Sequence, residues 1–224
     1  MLRLATIAGC LFALAPLSGC GGGDGESSAE AGDTVPAASI EPAAVPSSGG
    51  VPWPAPPNPM ELTREADLTP EIREFLDYHV HAHLDLFVNG QPVEIPGGIG
   101  IDIENPDVKR LAAADGSTAY GGIEQCSQPC ISPLHTHEND GVLHTESRSD
   151  LPNTLGQFFA QWDVALDESC VGGYCKDATN IEVYVDGELV DGSPTTIALT
   201  DGKEIAIVIG TRPPSIPDSY TASG

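Results

Sequence analysis

All six histidines of this 224-residue chain fall into two short clusters with the spacing of β-strands. The clusters are His79, His81 and His83, followed by His135, His137 and His144. Side chains two residues apart in a strand project from one face, so each cluster presents its imidazoles together. Neutral imidazole is the commonest protein ligand for zinc, copper and other late first-row metals. The two clusters therefore predict one assembled metal site.

Apolar residues alternate with the histidines of the first cluster. The even positions from Val80 to Val88 are all apolar, whereas the odd positions carry the three imidazoles, an acid and Phe87. This alternation is typical of a half-buried strand with one face toward the core. In the second cluster, an even loop between two short strands would place either His135 or His137 opposite His144. Glu146 would then share their face.

The predicted ligand set consists of His81, His83, His135, His137 and His144. Further ligands, or partners that orient an imidazole, are His79, Asp85 and Glu146. Three nitrogens and an open position suit zinc, and more planar arrangements suit Cu(II). A Cu(I) site rich in methionine is disfavoured, because the only methionines are Met1 and Met60.

The same residues leave other interpretations open. Six histidines exceed one tetrahedral shell, so either a second ion binds or some imidazoles only support the ligands. His83 and Asp85 also match the beginning of a two-histidine, one-carboxylate iron site. Without a metal, the histidines would be ordinary surface side chains or a pH sensor.

The amino terminus has the pattern of an export signal. A basic start, an apolar run and small residues occupy residues 1–19, directly before Cys20. The ending resembles the lipobox of bacterial lipoproteins, which implies that Cys20 is lipidated and anchors the mature chain to a membrane. We then expect a bacterial cell-envelope protein facing the periplasm or the exterior. An ordinary secretory signal with an incidental cysteine is the alternative.

The remaining chain divides by composition. Residues 20–59 are rich in Gly, Pro, Ser and Ala and, apart from Trp53, nearly free of large apolar side chains. This composition predicts a flexible tether. Residues 60–214 suit a single domain, and residues 215–224 form a tail.

The chain is strongly acidic, with 9 basic and 33 acidic residues. Such a surface repels nucleic acid and anionic lipid headgroups, so neither is an expected partner and the membrane contact is through the lipid alone. It also concentrates cations near the molecule. No protein partner is indicated.

Four cysteines remain in the predicted domain: Cys126, Cys130, Cys170 and Cys175. Outside the cytoplasm an even number of cysteines favours disulfides, and three pairings are possible. Thiolate ligation of a metal is the alternative, because Cys130 lies close to His135 in the sequence.

Turn and helix signals predict a mainly β domain, either a β-sandwich or an open antiparallel barrel, with one or two packed helices. Asn-Gly or Asp-Gly turns predict three tight hairpins, at 89–90, 186–187 and 201–202. Thr69 and Pro70 predict a helix that ends near Tyr78. A second helix is predicted after Asn153 or Thr154, where apolar side chains recur at helical spacing.

The histidine motifs resemble those of an uncharacterised family of exported bacterial and archaeal proteins. The matching segments are His81-Ala-His83, Leu134-His-Thr-His137 through His144-Thr-Glu146, and Leu155-Gly-Gln-Phe-Phe159. Glu138 replaces the aspartate of the family pattern. The resemblance spans residues 78–210 and implies one coherent domain, with no established activity.

Three functions agree with these features. The first is a membrane-tethered protein that binds Cu(II) or Zn(II) for capture, delivery or buffering. The second is a hydrolytic or oxidative metalloenzyme whose ion activates water or oxygen, with catalytic residues that the sequence does not identify. The third is a structural metal or interaction module.

Overall fold

The structure is a computed structural model that describes residues 53–150 and 152–221. The predicted signal segment, Cys20, most of the predicted tether and the last three residues of the tail lie outside the described residues. Within the segment predicted to be a tether, Trp53 packs edge-on against Trp162. The Trp162 indole N–H donates a 3.0 Å hydrogen bond to the Trp53 carbonyl oxygen.

Strands form most of the regular structure. The helices are α1 Pro59–Glu65 and α2 Leu155–Trp162, with a 3-10 helix at Pro194–Thr196. The strands are β1 Tyr78–Val88, β2 Gln91–Val93, β3 Lys109–Ala112, β4 Thr118–Gly121, β5 Leu134–His135, β6 Val142–Ser147, β7 Cys170–Val171, β8 Tyr174–Cys175, β9 Ile181–Val185, β10 Glu188–Leu189 and β11 Lys203–Ile209. The prediction of a mainly β protein with one or two helices is confirmed.

One seven-stranded sheet carries the histidines. Its order is β10-β9-β11-β1-β6-β5, with β2 also paired to β1, whereas β3–β4 and β7–β8 form separate two-stranded pairs. β1 is central: its even-numbered side chains are buried from Ala82 to Val88, in one cluster with Phe158 and Trp162 of α2. A one-residue slip would move the histidines into this core, so apolar burial fixes the register.

The sheet is mixed rather than purely antiparallel, because one central pair of strands is parallel. β11 lies between β1 and β9 and pairs with β1 in parallel, with Glu204 opposite His83. Burial explains the difference, because every residue from Glu204 to Ile209 is buried. A nearly continuous apolar run is typical of a strand covered on both faces in a parallel arrangement. The outer face is covered in part by Ile216.

Two of the three predicted hairpins are confirmed. Asn89-Gly90 joins β1 to β2, and Asp186-Gly187 joins β9 to β10. All four turn residues have positive φ, as a type I′ turn requires. The third prediction is wrong, because residues 195–199 do not form a strand paired with β11. Instead a 3-10 helix precedes an isolated bridge between Ala198 and Thr154.

The helix predicted between Thr69 and Tyr78 is wrong. The backbone N–H of Glu71 donates to the Ile131 carbonyl at 2.7 Å, and its carbonyl accepts from the N–H of Cys130. These bridges use the backbone groups that a helix would need, so tertiary pairing overrides the local capping signal. The helix before β1 is α1, which begins at Pro59 instead.

The second predicted helix is confirmed as α2. Thr154 accepts a hydrogen bond from the Gln157 backbone N–H, and the Gln157 side chain accepts one from the Thr154 N–H, which forms a capping box. The apolar face of α2 is buried against the sheet. No helix within the described ranges is long and apolar enough to cross a membrane.

The four cysteines form two disulfides, Cys126–Cys130 and Cys170–Cys175. The disulfide prediction is therefore confirmed. The sequence left three pairings open, and in the structure each cysteine pairs with its nearest neighbour in the sequence. Cys130 is bonded to sulfur and offers no thiolate to a metal.

Candidate metal centre

Three strands bring histidines into one row. Across β1, β6 and β5, His81 lies opposite His144, which in turn lies opposite His135. His79 lies opposite Glu146 in the neighbouring register position. The predicted hairpin of the second cluster is thus present, and its pairing is between His135 and His144. Strand parity is what places all these side chains on one face.

His135, His144 and Glu146 of these strands form a cluster with His137, which lies just beyond the end of β5. This four-residue cluster could hold a metal ion and is called the buried group here. One ligand atom from each residue lies within 4.8 Å of those of the other three. The Nε2 atoms of His135 and His137 are 3.1 Å apart. Two nitrogens bound to one tetrahedral zinc ion are about 3.3 Å apart, given bond lengths of about 2.0–2.1 Å. The observed separation therefore fits shared ligation.

Hydrogen bonds fix which nitrogen of each ring faces the buried group. His135 Nδ1 lies 2.9 Å from the Ser132 carbonyl oxygen, and His137 Nδ1 contacts the Tyr120 carbonyl oxygen. A carbonyl oxygen only accepts, so both Nδ1 atoms carry a proton, and in the neutral rings both Nε2 atoms carry lone pairs. Two lone pairs that face each other at 3.1 Å require a cation or a proton between them.

Glu146 supplies the negative charge of this cluster. Its Oε2 lies 3.9 Å from His135 Nε2, and its Oε1 lies 3.9 Å from His137 Nε2 and 3.6 Å from His144 Nδ1. Burial raises the pKa of Glu146, but the neighbouring histidines outweigh it and hold the pKa well below its usual range. The carboxyl group is therefore ionised, although the residue is buried and only 6% exposed.

Two buried polar atoms of the group lack hydrogen-bond partners: His144 Nδ1 and Glu146 Oε2. Buried polar groups are normally satisfied, so each such atom requires an explanation. Both residues also belong to the cluster in which the two Nε2 lone pairs converge. A metal ion held by these four residues would account for the two unpartnered atoms and for the two lone pairs.

Burial keeps two of the three imidazoles neutral. Desolvation is the main cause that lowers the pKa of His135 and of His144. The pKa of His137 behaves differently: burial lowers it, but the adjacent Glu146 carboxylate outweighs burial and raises it. Metals bind the neutral form of imidazole, so His135 and His144 are ready to ligate and His137 must lose any proton it holds.

A second cluster, the outer group, joins His79 and His81 with His144. The Nε2 atoms of His79 and His81 are 3.0 Å apart, and the His79 side chain is 37% exposed. His79 Nε2 also lies 3.2 Å from Glu146 Oε1. His79 therefore has contacts as close as those of His81, although the sequence placed His79 outside the main ligand set.

The structure does not bring His83 and Asp85 into the buried group. They form a third cluster with Glu204 on β11. His83 Nδ1 lies 3.0 Å from Glu204 Oε2, and its Nε2 lies 2.9 Å from the Asp140 carbonyl oxygen. With an acceptor at each nitrogen, the ring is best satisfied as an imidazolium. Burial lowers its pKa, but Glu204 outweighs burial and raises it.

An open cavity of about 540 Å³ gives access to the histidines. Its lining includes His81, His137 and His144, together with Glu74 and Tyr120. A ligand exchanging at the cluster would enter through this cavity.

Sequence reasoning missed two acidic residues, Glu74 and Glu204. Glu74 lies in the segment that resembled a helix, and nothing in its spacing relates it to the histidines. Glu204 was detectable in principle, because it is a carboxylate beside an apolar run that reads as a fully buried strand.

Compared with protein-family models, curated proteins and solved structures, the chain has no significant match.

Proposed function

We propose that this protein is a lipid-anchored metal-binding protein of the bacterial cell envelope that holds a Cu(II) or Zn(II) ion at the buried group, for capture, delivery or buffering. The opposed Nε2 lone pairs of His135 and His137 carry the proposal. Their 3.1 Å separation leaves them repelling each other until a cation lies between them. Glu146 and His144 complete a shell of three nitrogens and one oxygen.

The donor set supports these metals over others. Imidazole nitrogen suits zinc and copper, whereas magnesium and calcium prefer oxygen ligands. The cysteines of the described domain are in disulfides, which leaves no thiolate in this site. Among divalent first-row ions affinity rises to Cu(II), so copper is favoured where both ions are available.

A proton is the competing occupant of the same position. If His137 were protonated, it would donate from Nε2 to His135, and no metal would be needed between the rings. That alternative leaves His144 Nδ1 and Glu146 Oε2 without partners. The metal accounts for all four residues at once, and for this reason we favour it.

The location is proposed from the sequence and from one supporting feature. The signal-like segment and Cys20 predict export and lipidation, and two disulfides are typical of proteins outside the cytoplasm. The acidic surface would concentrate cations around the domain without attracting nucleic acid.

A second candidate function is a metalloenzyme, favoured by the position of Glu74. This carboxylate lines the cavity beside His137 and His144. Burial is the main cause that raises its pKa, and the charge of Glu146 adds to it. A carboxylate of raised pKa beside a metal ion can take a proton from bound water, which is the role of a general base. Catalysis would require Glu74; simple metal binding would not.

A metal titration tests the proposal. The folded domain with intact disulfides is titrated with Cu(II) or Zn(II) against a chromophoric chelator, and its unfolding temperature is measured in parallel. We expect tight binding and a rise in unfolding temperature for the wild type. His137→Gln should lose both, whereas the control His83→Gln should keep both. Equal behaviour of the two variants, or no binding by the wild type, would refute the proposed site.

A further inference from the structure

We propose that the outer group binds a second divalent ion of the same late transition series, so that the protein carries a two-metal centre linked by Glu146. The proposal rests on the metal-binding function proposed above and extends it to the residues that function leaves unused. Among these, His79 and His81 have the closest contact between ring nitrogens, at 3.0 Å.

The outer pair has the geometry of two ligands of one ion. His79 and His81 lie two residues apart on β1, so both project from the histidine face. Ring nitrogens bound to one ion at right angles are about 3.0 Å apart, and in a tetrahedral shell about 3.3 Å apart. The observed Nε2–Nε2 distance of 3.0 Å lies in this range. His144 is the third imidazole of the group. Its ring has one lone pair when neutral and serves the buried ion, so His79, His81 and Glu146 would hold the outer ion.

A single ion does not account for both groups. Two ligand atoms of one ion cannot be more than about 4.2 Å apart, which is twice the bond length. His79 and His81 cluster with His144, but they do not join the four-residue group that contains His135 and His137. These five imidazoles therefore surround two positions, one buried and one facing the solvent.

Glu146 connects the two positions. Its Oε1 lies 3.2 Å from His79 Nε2 and 3.9 Å from His137 Nε2, and its Oε2 is near the Nε2 of His135. One carboxylate thus reaches nitrogens of both groups, as a bridging ligand must. A shared anion also reduces the repulsion between two dications held close together.

Further negative charge lies beside the outer position. The Asp201 carboxylate accepts a 3.2 Å hydrogen bond from the backbone N–H of His81. Glu74 lines the cavity onto which His81 opens. Both acids favour a cation at this end of the sheet, and the whole chain has a formal net charge of −24.

The two ions would differ in accessibility. His135 is fully buried, so the ion at the buried group is shielded from solvent. The outer ion would be bound by exposed His79 and by residues that line the cavity. It would keep coordination positions for water or an incoming ligand.

Counting ions separates this proposal from the function on which it rests. The folded protein is loaded with Zn(II), dialysed, and analysed for zinc per chain. We expect two ions in the wild type and in the control His83→Gln, and one in the double variant His79→Gln/His81→Gln. One ion in the wild type would overturn the second site and leave the proposed function standing. None would overturn both, and two in the double variant would place the second ion elsewhere.

A spectroscopic measurement on the unmodified protein makes the test independent of how the variants fold. Two Cu(II) ions bridged by one carboxylate couple magnetically. We therefore expect a weakened isolated-copper EPR signal and a half-field transition once two equivalents of Cu(II) are bound. Two independent, full-intensity Cu(II) signals would contradict the two-metal centre.

Discussion

His135 and His137 face each other through Nε2 atoms 3.1 Å apart, while the Nδ1 atom of each ring is held by a backbone carbonyl. The carbonyls belong to Ser132 and Tyr120, in two different parts of the fold. The orientation of each imidazole is therefore set by backbone rather than by mobile side chains. Such preorganisation lowers the ordering cost of binding a ligand.

The tautomers of these two rings can be measured directly. We expect a long-range nitrogen–proton correlation spectrum to show a protonated Nδ1 in both His135 and His137. Zn(II) should then shift the Nε2 resonances and leave the Nδ1 protons in place, because the carbonyls keep their hydrogen bonds. Coordination through Nδ1 in either ring would contradict the assignment. His83, with acceptors at both nitrogens, should show two ring protons and no shift with zinc.

Metal affinity should fall as the pH falls. The Glu146 carboxylate outweighs burial and raises the pKa of His137, so below that pKa a proton occupies the nitrogen that the metal needs. The apparent Kd should therefore rise as pH decreases through this value and level off above it. Titration calorimetry in buffers of different ionisation enthalpy should show proton release on binding. An unchanged Kd between about pH 5 and pH 8 would be inconsistent with histidine ligation.

The Cys126–Cys130 disulfide should support the site as well as the fold. Its loop pairs with Glu71 and leads directly to Ser132, whose carbonyl orients His135. Replacing both cysteines by serine should lower the free energy of unfolding by about 2 kcal/mol, as loop-closure entropy gives for so short a loop. It should also weaken metal binding.

The second disulfide provides a matched control. The pair Cys170–Cys175 closes a loop of similar length, but neither cysteine lies in a metal cluster or lines the cavity. Replacing this pair by serine should cost similar stability and leave the Kd for metal unchanged. Equal effects of the two double variants on metal affinity would show that the first disulfide has no special role.

An ion pair outside the histidine clusters should give the fold a separate pH dependence. Arg212 donates two 2.6 Å hydrogen bonds to Glu182 and lowers the pKa of that carboxyl to about 2. Because this pKa is below the unfolded value of about 4.3, the pair stabilises the fold above pH 4.3. Its contribution is lost as the pH falls toward about 2.

Substituting the arginine tests this sign. We expect Arg212→Gln to be less stable than the wild type to urea near neutral pH, with the two unfolding curves converging in acid. The control is Arg64, whose guanidinium donates to the Met60 carbonyl within α1. Arg64→Gln should show no such convergence. A stability difference for Arg212→Gln that is constant with pH would contradict the expected linkage.

The features that follow local rules were predictable from the sequence. Strand parity placed the histidines on the face opposite Leu84 and Leu86, and the Asn89-Gly90 and Asp186-Gly187 turns gave two hairpins. Each depends on the period of a strand or on the φ preference of one or two residues. The chemistry of an imidazole-rich face was therefore visible before the fold was known.

Features set by contacts distant in sequence were not predictable. The segment after Thr69 has helix signals, but its hydrogen bonds go to Ile131 and Cys130. Likewise, Glu204 meets His83 only because β11 pairs in parallel with β1. Because of this pairing, His83 lies with Glu204 and not in the buried group. The spacing of residues along one strand cannot predict which strand pairs beside it. Glu74 reaches the cavity through the same irregular segment.

The metal content of the full-length protein purified from the cells that produce it tests the central claim most directly. Elemental analysis combined with EPR spectroscopy would identify the ion and its ligands. We predict copper or zinc in at least one equivalent per chain, with nitrogen ligation if the ion is Cu(II). The contradicting result would be an intact, disulfide-bonded protein that contains no stoichiometric metal and gains no thermal stability from added Cu(II) or Zn(II).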